Sequence, residues 1–217
     1  MSIAENIKNL KQALPPSVSL VAVTKTYTVE KITEAYNTGH KIFGENKVQE
    51  LLSKYLQIPN DAEWHIIGHL QSNKVKYIAP FIHLIHSIDS LSLLKEINKQ
   101  AQKCDRIISC LLQIHIAQEE TKFGFSYDEA EQLMRSDELK PLTHVSISGL
   151  MGMATNTEDT TLIRKEFKNL KFFFDKLKIS HPNITTLSMG MTSDHKIAVE
   201  EGSTMIRVGS AIFGTRN

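Results

Sequence analysis

Lys25 closes the apolar run Ser19-Leu20-Val21-Ala22-Val23-Thr24-Lys25. A strand built for burial gains nothing in packing from a hydrated ammonium at its tip. An amine partly desolvated there has a lowered pKa and attacks aldehydes and ketones. The other chemically equipped stretches lie far along the chain, at Ser188-Met189-Gly190-Met191 and Arg207-Val208-Gly209-Ser210. Gly190, Gly209 and Gly214 let backbone approach a ligand closely. Ser188 and Ser210 add hydroxyl donors, a combination suited to a phosphate. On a strand, Met205, Arg207 and Gly209 share one face. If that face is buried, the Arg207 guanidinium requires an acceptor. If it is exposed, Arg207 is a surface cation or a partner of Glu200 or Glu201.

These groups need a scaffold that brings distant strand ends together. The chain alternates apolar runs with helical patterns. The runs cover 19–25, 41–45, 63–68, 83–89, 108–117, 143–153, 185–191 and 204–214. Helical segments follow all but the last, at 28–39, 47–57, around 72–79, and at 92–104, 126–135, 164–177 and 195–202. A repeat of about 20 to 40 residues is what a strand–helix unit needs, and such alternation predicts a parallel sheet covered by helices. Eight units in 217 residues predict one α/β domain, 1–217: a single (β/α)8 TIM barrel with an extra N-terminal helix. A doubly wound open sheet would favour a glycine-rich turn after the first strand. The turn Thr24-Lys25-Thr26-Tyr27-Thr28 has no glycine. In a barrel the chemistry sits at the C-terminal strand ends, where Lys25, Asn46, His65, His69, Ser188, Arg207, Gly209 and Ser210 fall. A nucleophilic amine facing a phosphate site across that mouth fits two ligands. One is a phosphorylated sugar, as in a Schiff-base aldolase. The other is pyridoxal 5′-phosphate (PLP).

Composition narrows the class. The formal net charge is +1, with 41% hydrophobic and 23% charged residues. There is no basic field for nucleic acid and no acidic tail. Cys104 and Cys110 are expected to be reduced thiols. The opening segment is a polar amphipathic helix, and no run of about 18 apolar residues occurs. The expectation is a soluble, cytoplasmic protein without membrane contact, in which the sequon Asn183-Ile184-Thr185 carries no sugar. His65 and His69 are four apart but flank Gly68 at a strand end, and His83 and His86 should face opposite sides of a strand. No metal ligand is assigned. Of Phe172, Phe173 and Phe174, two should pack on the barrel and one stay exposed.

Six segments carry a family resemblance: VAVTKT (21–26), FGENKVQE (43–50), WHIIGHLQSNK (64–74), GLM (149–151), LSMGMTSD (187–194) and IRVGSAIFG (206–214). In this order, over nearly the whole chain, the sequence resembles the pyridoxal phosphate homeostasis protein family. The barrel of that family is similar to the N-terminal barrel of alanine racemase. The resemblance implies that Lys25 carries PLP as an internal aldimine, with Asn46 close to the cofactor and Arg207 facing the pyridine nitrogen. It implies that Ser188, Gly209 and Ser210 bind the phosphate, that Met189 and Gly190 line the same turn, and that a residue of 149–151 lies beside the ring. Three positions depart from the family's pattern. Thr24 stands where a serine is frequent, Tyr27-Thr28 replaces a Lys-Pro pair, and the segment 115–124 begins with His115 instead of Asn or Asp.

An arginine at the ring nitrogen weakens the cofactor as an electron sink, because its pKa lies above about 12. Alanine racemase is similar there but adds a tyrosine from a separate domain and a partner subunit. A chain closing at Asn217, directly after the eighth unit, is expected to lack that domain. The resemblance therefore implies a monomeric carrier with no catalytic residue. It would hold PLP for vitamin B6 and amino-acid balance and release it to apo-enzymes, with Lys47, Lys74 or Lys122 assisting exchange. The rivals are a single-domain racemase using His65, His69 or Tyr27 as second base, an aldolase, and an interaction protein with a degenerate barrel.

Overall fold

The computed structural model describes residues 2–119 and 122–215. Glu120 and Thr121 of the segment 115–124, and the terminal Asn217, lie outside the described residues. Eight parallel strands close into a barrel in sequence order, with the last strand pairing the first. The first half runs α1 (Ile3–Ala13), β1 (Ser19–Val23), α2 (Val29–Asn37), β2 (Ile42–Glu45), α3 (Val48–Tyr55), β3 (Glu63–Ile66), α4 (Val75–Ile78) and β4 (Leu84–Ile88). The second half runs α5 (Leu91–Lys103), β5 (Ile108–Ile114), α6 (Tyr127–Arg135), β6 (Val145–Gly152), α7 (Thr160–Ser180), β7 (Thr186–Ser188), α8 (His195–Glu200), β8 (Met205–Val208) and α9 (Ser210–Phe213). The extra N-terminal helix is α1. Its capping box ties Ser2 to Glu5, and Asn6 Nδ2 donates to Ile212 O at 2.9 Å.

The predicted barrel is therefore observed, and the differences lie at strand ends. The first run was expected to reach Lys25, but β1 stops at Val23. Tyr27 N–H turns back to Thr24 O at 3.1 Å, and Thr26 takes a left-handed φ of 69°. The last run, expected as one segment over 204–214, splits after Val208. Gly209 O accepts from both Ile212 and Phe213 N–H and starts a helical turn. Helix α7 begins before its apolar pattern because Asp159 caps it, accepting from Thr161 and Leu162 N–H. Phe173 and Phe174 are buried and Phe172 is 74% exposed, as the sequence predicted. Among the described residues no helix is long and apolar enough to cross a membrane.

Two cores follow from the period-2 alternation of each strand. The outward faces, including Phe43, Ile66, Ile85, Leu150, Leu187 and Ile206, pack under the helices in one large cluster. Inside the barrel, among the described residues, Leu84, Leu111 and Met151 form a buried apolar cluster, with Met153 and Met205 against it. His65, His86, Ser188 and Arg207 share this interior with Val21 and Val23, all buried.

The tightest strand contact is at Gly149, which pairs with Thr186 of β7. A Cβ there would stand 1.8 Å from Thr186 O, a backbone atom that cannot move aside. Gly149→Ala is expected to destabilise the protein by about 3 kcal/mol, measured as a lower urea midpoint at unchanged slope. A midpoint equal to that of the parent would contradict this packing.

Candidate functional site

The C-terminal mouth of the barrel opens into a cavity of about 560 Å³, a size suited to a small cofactor. Five expected residues line it together: Lys25, Asn46, Arg207, Gly209 and Ser210. They come from the ends of β1, β2 and β8. Val23, Ile67, Phe123, Met153 and Met191 supply apolar walls, and Gly68, His69, Thr192 and Ser193 complete the rim. Sequence reasoning did not assign Thr192, Ser193, Met153 or Phe123. The only signal for the first two was their place just after Ser188-Met189-Gly190-Met191.

Lys25 is half-buried and sits on the β1–α2 turn. That turn is clamped from below. Thr24 N–H donates to Gly44 O at 2.9 Å, and Thr24 Oγ1 donates to Glu45 Oε1 at 2.6 Å. Lys54 Nζ donates to Thr24 O at 2.8 Å, to Glu45 Oε1 at 2.8 Å and to Glu50 Oε1 at 2.6 Å. Glu50 also accepts from Thr26 N–H. The backbone on both sides of Lys25 is thus held by one buried ammonium and two carboxylates. Burial pushes the Glu45 carboxyl up, against the lowering effect of Lys54 and Thr24. Lys54 and Glu50 stand i,i+4 on α3, the spacing of an ordinary helical pair. The burial of Lys54 depends on β2 and the turn above it.

Arg207 is buried and faces inward, so its surface alternative is excluded. Glu200 and Glu201 pair instead with Arg164. Nη1 of Arg207 donates to Ser188 O at 2.9 Å and Ser188 Oγ at 2.6 Å, and Nη2 donates to Gly152 O at 3.0 Å. Burial pulls the guanidinium down to about 10, against the opposing charge of Asp194. It remains a cation at neutral pH and a poor proton donor.

Three expected phosphate-site residues do not line the cavity. Ser188 is fully buried beneath it, its Oγ taken by Arg207 and by His86 Nδ1 at 3.0 Å. Met189 packs in the outer core. Gly190, at φ +97°, accepts from Arg207 N–H at 2.9 Å, and a Cβ on it would meet Ala198 Cβ at 2.6 Å. The physical reason is that β7 ends at Ser188, so its inward side chain stays below the rim. The hydroxyl residues at the rim are Thr192, Ser193 and Ser210, and the oxygens of Thr192 and Ser210 lie 3.4 Å apart. None of 149–151 reaches the cavity either: Leu150 faces the outer core, Met151 the inner one, and Met153 takes the expected place.

Of the three candidate second bases, only His69 lines the cavity. Its Nδ1 is 2.9 Å from Asp89 Oδ2, and its ring stacks on Phe123 with centroids 4.1 Å apart. Tyr27 is buried and donates to Gly214 O at 2.6 Å. His65 is buried deep in the barrel. Lys47, Lys74 and Lys122 do not line the cavity; Lys122 is engaged by Glu119 and Ala154 O.

Residues 1–217 match the family model described as alanine racemase, N-terminal domain. The pyridoxal phosphate homeostasis protein of Vibrio alginolyticus is 36% identical over 231 residues, covering 100% of this chain and 98% of the relative. That of Aquifex aeolicus is 39% identical over 200 residues, covering 91% and 86%. The chain belongs to the pyridoxal phosphate homeostasis protein family. Among solved structures, PipY of Synechococcus elongatus without PLP superposes with a TM-score of 0.92 at 36% identity, covering 98% of this chain and 100% of that one. PipY with PLP bound gives 0.86 at 35% identity over the same shares. An alanine racemase of Clostridium difficile, at 15% identity and TM-score 0.78, shares the fold over 56% of its own length.

Proposed function

We propose that this protein binds PLP in the cavity at the barrel mouth, covalently through Lys25, and acts as a carrier in vitamin B6 and amino-acid homeostasis. The observation that carries this reading is the meeting of Lys25, Arg207 and the Gly209-Ser210 corner on one cavity, in a family with a PLP-bound member. When bound, the cofactor supplies an electrophilic aldehyde and an electron-withdrawing ring. Lys25 Nζ would bond the aldehyde carbon, the carbonyl oxygen leaving as water. Gly209, Ser210 and Thr192 hold the phosphate, and Asn46 flanks the bound molecule. Arg207 faces the ring nitrogen. Ser188 serves by fixing Arg207, and Met189 and Gly190 shape the turn beneath.

A guanidinium locked by three hydrogen bonds supports holding over turnover, since it cannot readily hand a proton to the ring. The protein is read as a single cytoplasmic domain, 1–217, working as a monomer, with apo forms of PLP-dependent enzymes as recipients and no nucleic acid or membrane partner. A racemase or aldolase reading has one specific support, His69 on the cavity with Asp89 behind it.

The two readings part in deuterated water. PLP-loaded protein incubated with L-alanine is expected to exchange the α-proton no faster than free PLP, while PLP passes from it to an apo-enzyme and restores activity there. Rapid exchange that disappears in His69→Gln would establish the catalytic reading instead.

A further inference from the structure

The end of the barrel opposite the cavity brings Glu63, His65 and His83 together. One ligand atom from each lies within 4.8 Å of the other two. Glu63 and His65 are two apart on β3 and project to the same face. His83 immediately precedes β4. Its ring stacks on that of His65, with centroids 5.5 Å apart and planes 14° from parallel. Its Nε2 is 3.5 Å from Glu63 Oε2. His83 and His86, expected to face opposite sides, both lie against His65. His83 lies just before β4, where the alternation of the strand does not yet apply.

His65 is 1% exposed. Its Nδ1 is 3.0 Å from His86 Nε2, and its Nε2 is buried without a hydrogen-bond partner among the described residues. A buried ring nitrogen left so is costly and calls for a partner. A metal-binding histidine has this construction: one nitrogen for the ion, the other hydrogen-bonded to a fixed group. The fixed group is His86, which is itself held by Ser188 Oγ at 3.0 Å. With His65 Nδ1–H donating to His86, and His86 Nδ1–H donating to Ser188, the His65 Nε2 lone pair is left for a cation.

We propose that Glu63, His65 and His83 bind one divalent cation of the zinc class, with the fourth position open to solvent. Two imidazoles and one carboxylate are a zinc donor set, whereas Mg²⁺ and Ca²⁺ prefer all-oxygen sites. Tetrahedral ligands at about 2.0–2.1 Å from zinc stand about 3.3 Å from one another, close to the present Glu63–His83 separation. Both of those side chains are partly exposed, so they can close on an ion that the buried His65 anchors. Sequence spacing did not reveal the site because its histidines come from neighbouring strands. The proposal does not depend on the cofactor reading.

The test uses PLP-free, chelator-treated full-length protein titrated with Zn²⁺ in competition with a chromogenic chelator. One equivalent is expected to bind and to raise the melting temperature, and Mg²⁺ to do neither. His65→Ala risks the barrel interior, so the outer ligands carry the test. His83→Ala and Glu63→Gln are each expected to weaken zinc binding by at least about tenfold, with Lys25→Ala binding zinc like the parent. No saturable equivalent, or full affinity in both outer variants, would overturn the site and leave a Glu63–His83 ion pair.

Discussion

Lys25→Ala is expected to abolish the imine absorbance band of the PLP-loaded protein completely while leaving its fold unchanged. The imine band requires a link to an amine, and among the described residues Lys25 is the lysine that lines the cavity. The substitution should be structurally mild. Lys25 is half-buried in a turn, and Thr24, Thr26, Glu45, Glu50 and Lys54 make contacts that hold that turn in the variant as in the parent. The rim residues Gly209, Ser210 and Thr192 remain, so PLP should still associate through its phosphate but leave far faster. Borohydride treatment of the parent should fix the cofactor on the peptide containing Lys25, read by mass spectrometry, and on no peptide of the variant. An imine band in the Lys25→Ala protein, or a label on another lysine, would defeat the assignment.

Lys54→Met is expected to cost about 4 kcal/mol of stability, since removing one partner of a buried ion pair strands the other charge. Glu45 is fully buried, with Oε1 shared by Lys54 and Thr24 and Oε2 unpartnered. Without Lys54, desolvation faces only Thr24, and the Glu45 pKa rises further above its ordinary value. A carboxyl whose folded pKa exceeds its unfolded pKa costs stability at high pH, where the unfolded chain releases the proton more readily. That cost fades as pH falls below the folded pKa. The deficit of Lys54→Met relative to the parent should therefore be largest near pH 8 and shrink toward pH 5. Denaturant melts at the two pH values measure it. A deficit independent of pH would mean that lost packing of the lysine stem dominates. Adding Glu45→Gln should recover part of the loss, and the looser turn should also slow covalent PLP capture by Lys25.

The barrel, its strand order and its helices were legible because they rest on local patterns. Apolar runs of strand length alternate with 3.6-period segments at a spacing that permits only a crossover to a parallel neighbour. Lys25, Asn46, Arg207, Gly209 and Ser210 were legible for a related reason: each lies at the C-terminal end of a strand, and closure of a parallel barrel brings all such ends to one mouth. What the chain's own order leaves open is which side chains meet across that closure. Ser188 was read as a phosphate ligand because it ends a strand. Only the height of β7 relative to β8 shows that it lies one layer down, gripping Arg207. Lys54 meets Thr24 and Glu45 from earlier elements, and His65 and His83 are separated by a helix and two loops. Such contacts are set by the lateral register and stagger of strands that pair far apart in sequence, where a shift of one residue turns every side chain to the other face.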